Sequence, residues 1–274
     1  MTAIFSLGRE LAKGVDFLRR DARIELSYRL SLFTQLAHIF VTCCGFYFLA
    51  RYVGGRVFPD LGTDYFSFVL VGVAFSNYLG VSLTGYANSL RDAQMTGVFE
   101  QLLVTQTSVG TIVWGGSLYH FVMTTVHALA YLIMGATVFG ASLGRANLLG
   151  AGVVVLLSVL AFSGLGILSA AMVVLFKKGN PFNWLILSAS WLVCGVLYPV
   201  SVLPGWLQVV AQWNPLTSSL DALRATLLKG ASLTALPAEI TMLVAFAITL
   251  LPASILLFGW AVEQSKTSGT LADY

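Results

Sequence analysis

The chain has 274 residues, of which 57% are hydrophobic and only 10% are charged. An ordinary soluble domain carries roughly 25% charged residues, so a soluble fold could not bury this much apolar surface. The formal net charge is +3, and six of the 15 basic residues precede the first long apolar block. This placement indicates contact with anionic lipid headgroups rather than with nucleic acid. The composition therefore predicts one integral membrane domain over residues 1–274.

The N-terminal segment is predicted to form an interfacial helix. Apolar residues recur every three or four positions over residues 4–22, while Arg9, Lys13 and Arg20 lie on the opposite side. This pattern is typical of an amphipathic helix in the plane of the membrane surface; the alternative is a helix packed on a soluble domain. Because the first 29 residues have mixed charge, unlike a cleaved signal peptide, we expect the N-terminus to be retained.

Long runs without Asp, Glu, Lys or Arg give the membrane spans, because a charge at mid-bilayer costs roughly 2.5–3.5 kcal/mol even on the lowest scale. The runs are continuous rather than alternating, so the predicted fold is all-α. Three cysteines, Cys43, Cys44 and Cys194, lie inside such runs without disulfide or metal-ligand spacing, and no metal site is expected. The six predicted spans are 30–50, 65–90, 109–140, 148–176, 182–198 and 240–262.

The basic residues predict the orientation. Ten of them fall on the N-terminus, the 91–100 and 177–178 connections and the tail, whereas the other side has five. Cytoplasmic segments are richer in Lys and Arg. We therefore expect both termini to be cytoplasmic in a multi-pass protein of the cell inner (plasma) membrane.

Two connections differ from simple loops. Residues 202–229, between spans five and six, are apolar but interrupted by Pro204 and Pro215, which predicts a re-entrant pair of short helices in the outer leaflet. The alternative is an ordinary structured outer loop. On the inner side, residues 92–105 are predicted to form a short helix that rests on the membrane and presents Glu100 to a cytoplasmic partner.

Two motifs carry a resemblance to a known family. The segment Gly97–Thr105 resembles the Gly-x-x-Glu-x-Leu-Leu-x-Thr segment of the type-two (type V) ABC exporter permeases, which move polysaccharides, drugs and lipids. The segment Leu203–Arg224, with its Leu-Pro-Gly-Trp and Asn-Pro-Leu-Thr sequences, resembles their outer re-entrant region. The order of the predicted elements matches along the whole chain. One departure is Gln106, where the family often has proline.

The resemblance implies a permease subunit that pairs with a second copy, or a close paralogue, and with a separate ABC ATP-binding subunit. No Gly-x-x-x-x-Gly-Lys-Ser/Thr phosphate loop occurs in the sequence, so we expect no catalysis on this chain, no cofactor, and ATP and Mg on the partner subunit. Coupling to the ATPase is assigned to Gly97, Phe99, Glu100, Leu102, Leu103, Lys177 and Lys178. An outer gate is assigned to Pro204, Trp206, Pro215 and Arg224.

Aromatic side chains are candidates for the substrate path. Interface anchoring explains Trp206 without any further function, whereas Trp184 and Trp191 are seven residues apart on one helical face. The predicted path residues are Phe40, Tyr47, Trp184, Trp191 and Tyr198; the alternative is core packing. The absence of charge suits a hydrophobic, lipid-linked or glycan substrate, among which the sequence does not choose.

Functions other than that of an exporter permease have less support in the sequence. An ion-coupled secondary transporter needs a coupling-ion site, usually intramembrane carboxylates, and every acidic residue falls outside the span centres. His120 and His127, seven residues apart on predicted span three, favour an interior or dimer-seam position over a metal or proton-relay site. His38 stands alone in span one.

Overall fold

The computed structural model describes residues 29–53, 63–95, 109–176 and 181–267. These residues form helices and the connections between them, with no strand. The predicted all-α class is therefore confirmed for the described part of the chain. The interfacial helix predicted over residues 4–22 lies outside it. The helices are α1 (Arg29–Val53), α2 (Tyr65–Met95), α3 (Val109–Thr137), α4 (Leu148–Phe176), α5 (Pro181–Val193), α6 (Gly205–Gln212), α7 (Pro215–Leu228) and α8 (Pro237–Thr267).

Five of these helices, α1, α2, α3, α4 and α8, are long and apolar enough to cross a membrane. Helix α2 continues without a break to Met95, so residues 92–95 of the predicted inner helix belong to its last turn. The remainder of that segment, residues 96–105, lies outside the described residues. The inner helix and the six-span topology stay predictions.

Helix α5 is shorter than the span predicted over residues 182–198. Its 13 residues end at Val193, whereas a helical crossing needs about 20. The physical reason is Gly195, whose φ of +74° lies in the left-handed region that ends a helix. Beyond it, the Tyr198 hydroxyl donates a hydrogen bond to the Leu192 carbonyl. That bond satisfies one of the carbonyls that the end of α5 leaves without a helical partner.

Helix α2 is the centre of the bundle. Of its most apolar stretch 83% is buried, against 11% for α1 and for α8, and it packs against α1, α3, α4, α5 and α7. Helix α8 packs mainly along α4. Polar side chains cross between α2 and α4: the Ser82 hydroxyl donates to the Phe162 carbonyl at 2.5 Å, and the Tyr86 hydroxyl donates to Ser163 Oγ at 2.9 Å.

Glycines allow these helices to approach closely. Gly166 of α4 faces α2, and a β-carbon there would meet the Tyr86 ring and the Ser82 carbonyl oxygen. Gly135 of α3 faces the Leu70 side chain of α2 in the same way. Lipid chains are as apolar as leucine, so helix association in a membrane depends on close packing and interhelical hydrogen bonds of this kind.

Helices α6 and α7 form the pair predicted between α5 and α8, but their environments differ. Helix α6 exposes Trp206 and Val209, and Trp213 directly after it is also exposed. Helix α7 is buried along most of its length against α2, α4 and α8, although it is rich in Ser and Thr. Its N-terminus is capped by Asn214, whose side chain accepts from the Leu216 N–H at 3.0 Å. The depth of this pair in a membrane stays a prediction.

The contact at Gly166 gives a test of the α2–α4 packing. Gly166→Ala should destabilise the protein by about 1–3 kcal/mol, because the new methyl group meets the Ser82 backbone as well as the Tyr86 ring. Thermal unfolding in detergent should show a lower midpoint. Gly152→Ala is the matched control on the same helix, since a β-carbon there meets nothing within 4 Å. Equal midpoints for the two variants would contradict this packing.

Candidate functional site

A cleft of about 640 Å³ lies between α1, α2 and α3 and is partly open. Its size is within the range of roughly 300–1,000 Å³ that is usual for small-molecule sites. Residues from the middle of all three helices line it, and Trp191 of α5 closes one side. The lining residues are Thr34, Gln35, His38, Ile39, Thr42, Phe46, Val73, Asn77, Val81, Thr124, His127, Tyr131 and Trp191.

The polar side chains of the cleft carry no formal charge, since none of its lining residues is Asp, Glu, Lys or Arg. Polar contacts between α3 and α1 cross it: His127 Nε2 and Gln35 Oε1 are 2.8 Å apart, which requires a proton on Nε2, and the side chains of Tyr131 and Thr42 form a hydrogen bond. The Gln35 amide also donates to Ser31 Oγ at 3.1 Å. These bonds hold α1 against α3 and leave the rest of the cleft open.

The five predicted path residues do not converge on one surface. Only Trp191 lines the cleft. Phe40 and Tyr47 both contact the Phe139 ring, with centroids 6.0 and 5.2 Å apart, in an aromatic cluster with Phe66. Trp184 is 73% exposed. The path assignment stays a prediction, and the structure brings together a different set of side chains.

The two histidines of α3 have different surroundings. His127 lines the cleft, whereas His120 is exposed and its ring lies 3.5 Å from the position of a β-carbon at Gly85. His38 of α1, which the sequence leaves isolated, also lines the cleft. The histidine that belongs with His127 is therefore His38 rather than His120.

Of the predicted gate residues, Arg224 has the most distinctive environment. It is 6% exposed, so an exposed and weak ion pair with Asp221 does not describe it. Its Nη2 donates to the Phe68 carbonyl at 3.2 Å and to the Val196 carbonyl at 3.1 Å. The guanidinium carbon also lies 3.5 Å from the centre of the Phe68 ring. Arg224 thus joins α7 to the first turns of α2 and to the segment after α5.

Gly72 makes this junction possible. A β-carbon at this position would meet both the Val196 carbonyl oxygen and the Arg224 guanidinium. The other gate residues have different environments: Pro215 is buried at the start of α7, whereas Pro204 and Trp206 are exposed at the start of α6. The assignment of these residues to a gate stays a prediction.

The predicted coupling residues, Gly97, Phe99, Glu100, Leu102, Leu103, Lys177 and Lys178, lie outside the described residues. Next to the second of these segments the structure has a polar contact that the sequence analysis missed. The Asn183 side chain of α5 donates to the Leu83 carbonyl of α2 and accepts from the Ser169 hydroxyl of α4, both at 2.9 Å. The start of α5 is therefore tied to two other helices.

A signal for the cleft is present in the sequence. Thr34, Gln35, His38 and Thr42 recur at helical spacing in the first span and form a polar stripe on an otherwise apolar helix. Polar residues inside membrane spans usually face the bundle interior or a water-filled cavity. This polar stripe indicates the position of the cleft more directly than the aromatic residues do.

The Arg224 junction predicts a stability effect. Arg224→Ala should lower the free energy of unfolding by about 2 kcal/mol, because it removes charge-assisted hydrogen bonds and leaves the Val196 carbonyl without its donor. Arg224→Lys should recover only part of this, since an ammonium group cannot both reach two carbonyls with a planar fork and stack on Phe68. Thermal unfolding in detergent measures both.

Lys229→Ala is the control for this experiment, because Lys229 is an exposed cation at the C-terminal end of the same helix. It should leave the unfolding midpoint unchanged. A midpoint for Arg224→Ala equal to that of Lys229→Ala would mean that the buried guanidinium does not hold the junction.

Comparison with known proteins identifies relatives that are similar to this chain in sequence. The chain is 27% identical over 172 residues to the linearmycin resistance permease protein LnrN of Bacillus subtilis, a match covering 62% of this chain and 44% of that protein. It is 31% identical over 173 residues to nodulation protein J of Rhizobium meliloti, covering 61% and 63% of the two chains. Both matches span less than two thirds of the relative.

A longer match is to nodulation protein J of Bradyrhizobium diazoefficiens, with 28% identity over 235 residues, 83% of this chain and 85% of the relative. The family model for the ABC-2 type transporter matches residues 22–228, which include α1 to α7. This covers well over half of the chain. The protein therefore belongs to the ABC-2 type transporter family and is a membrane subunit of an ABC transporter.

Proposed function

We propose that this chain is the permease subunit of an ATP-driven exporter, in which a second copy completes the pathway and a separate ATPase subunit supplies the energy. The observation that carries the proposal is the family match over residues 22–228 in a chain whose sequence has no phosphate-binding loop. Such a chain must obtain the free energy of ATP hydrolysis from another subunit. ATP and Mg are accordingly expected on that subunit.

The composition of the cleft supports a cargo that is hydrophobic, lipid-linked or a glycan. Its walls combine uncharged polar side chains with Ile39, Phe46 and Trp191, so an ionic cargo would find no countercharge there. The name of the Bacillus subtilis relative, a resistance permease, supports removal of a toxic compound as one form of this export.

The alternative, an ion-coupled secondary transporter, is less well supported. Proton or sodium coupling usually uses intramembrane carboxylates, and none of the cleft-lining residues has one. Transport by proteoliposomes that contain this chain with its ATPase distinguishes the two. We expect uptake into inside-out vesicles only with ATP, and not with an ion gradient alone.

Exposed apolar side chains support pairing of two copies through α1 and α5. Leu36 and Phe40 of α1 and Leu192 of α5 are exposed, as is Trp184. The six predicted crossings, which show no internal repeat, would give half of a two-fold pathway, which is why a second copy or a close paralogue is proposed. Lipid is proposed to cover the remaining apolar surface. The protein is proposed to lie in the cell inner membrane, with both termini in the cytoplasm.

Pairing gives a test of stoichiometry. The chain should be co-expressed with its proposed ABC ATP-binding subunit and released from membranes for native mass spectrometry. We expect a mass equal to two permease and two ATPase subunits, because one copy provides only half of the pathway. A stable complex with a single permease subunit would contradict the proposal.

Coupling is proposed to run through Glu100 and its neighbours Gly97, Phe99, Leu102 and Leu103, with Lys177 and Lys178 as a second contact. Closure of the ATPase moves the spans only through a rigid element that touches both. The bond network around Asn183 supports the second contact, because it connects the helix that follows Lys178 to α2 and α4. A displacement at residues 177–180 would therefore be passed to the centre of the bundle.

Glu100→Ala should leave expression and assembly intact and uncouple transport from ATP hydrolysis, because it removes the acidic contact with the partner. The measurement is the ratio of substrate moved to ATP hydrolysed in proteoliposomes. Glu263→Ala is the control, since Glu263 is an exposed glutamate near the end of α8. If Glu100→Ala transports with a normal ratio, the coupling contact lies at Lys177 and Lys178.

A further inference from the structure

The cleft between α1, α2 and α3 contains side chains whose hydrogen-bonding capacity is not used. His38 and Asn77 are exposed within it, and neither makes a hydrogen bond to another described residue. They come from the middle of two helices that are apolar enough to span a membrane. A polar group left unpaired at that depth is unfavourable, so these two groups require water or a ligand.

Other polar side chains of the cleft already have hydrogen-bond partners. Thr124 Oγ1 of α3 donates to the His120 carbonyl at 2.8 Å, and His127 is engaged with Gln35. Thr34 Oγ1 of α1 donates to the Ser31 carbonyl at 2.8 Å. These hydroxyl oxygens still have lone pairs that can accept a hydrogen bond. The cleft thus offers fixed acceptors on α1 and α3 together with the His38 and Asn77 groups, which have no hydrogen-bond partner among the described residues.

We propose that this cleft binds the hydroxyl-bearing end of an uncharged amphiphile, with His38 and Asn77 as its principal hydrogen-bonding groups. A hydroxyl both donates and accepts, so it matches a wall that offers an imidazole, an amide and threonine oxygens. A charged headgroup does not match, because the lining has no residue that carries a formal opposite charge. The apolar part of the ligand lies against Ile39, Phe46 and Trp191.

The exposed face of α1 fits this mode of entry. Beside the polar stripe, α1 carries Phe33 and Phe48, which are exposed and are not among the side chains proposed to meet a second copy. An amphiphile in the bilayer can therefore keep its chain among apolar groups while its head enters the cleft past α1. The inference depends on the proposed function only for the direction in which the ligand then moves.

The test uses the full chain in phosphatidylcholine nanodiscs without the ATPase. The probe is an alkyl β-glucoside with a diazirine on the carbon nearest the sugar. After photolysis, the cross-links are mapped by mass spectrometry and competed with unlabelled alkyl glucoside. Two matched probes carry a trimethylammonium or a sulfate group in place of glucose. We expect competed cross-links of the glucoside on α1, α2 and α3 at the cleft, at least fivefold above those of the charged probes.

Variants identify the groups involved. Asn77→Leu and His38→Leu should each reduce the competed labelling about fivefold, as expected for the loss of one hydrogen bond. Asn88→Leu and His120→Leu are the controls, because these side chains are exposed on α2 and α3 and do not line the cleft. They should label as the unmodified chain does, which also shows that polar-to-apolar changes on these helices leave the protein folded.

Several results would overturn the inference. These are cross-links confined to other surfaces, equal labelling of the cleft by the charged probes, unchanged labelling of both cleft variants, and an unlabelled cleft because a second copy covers it. None of these results bears on assembly with the ATPase. Conversely, failure of the chain to assemble with an ATPase would remove the proposed function and leave the labelling of the cleft intact.

Discussion

The buried guanidinium of Arg224 connects parts of the chain that are far apart in sequence. It projects from α7 and reaches the carbonyl of Phe68 in α2 and that of Val196 after α5. A cation removed from water is costly unless its donors are satisfied, so these carbonyls must stay close together while Arg224 is buried. The placement of α7 inside the bundle, the end of α5 and the close approach at Gly72 all depend on this requirement.

Hydrogen bonds between uncharged side chains and neighbouring helices hold the rest of the bundle in a similar way. Ser82 and Tyr86 of α2 bind α4, and Asn183 ties the start of α5 to both helices. Helices α2 and α4 therefore form a unit held by hydrogen bonds and by the contact at Gly166. Helix α1 is different, because most of its surface is exposed and its polar contacts with α3 are made by a few side chains, such as Gln35 with His127 and Thr42 with Tyr131. The bundle thus has a firmly packed centre and a loosely attached first helix.

The sequence allows the long apolar helices to be predicted because a run without charge has few alternatives in a membrane. It also gives the start of α7, since Asn214 and Pro215 together form a capping signal. It could not give the early end of α5, because the left-handed conformation of Gly195 depends on neighbours such as Tyr198. The burial of α7 could not be predicted from the sequence either, because a helix that contains Ser, Thr and charged residues is expected at a surface. The cleft was missed because its polar residues come from three helices whose adjacency is a tertiary property.

Two polar side chains of the cleft, His38 and Asn77, lie apart from the packed core, although other lining residues such as Ile39 and Tyr131 belong to it. Asn77 and His38 are exposed, in contrast to Tyr86 and Leu83, which face neighbouring helices and are fully buried. Replacement of an exposed side chain usually changes the free energy of unfolding by no more than about 0.5 kcal/mol, whereas changes in a core cost several times more. Mutations that alter which molecule fits between α1 and α2 can therefore accumulate without loss of folding. Related chains could therefore differ in the ligand of the proposed site while they retain the same helical frame.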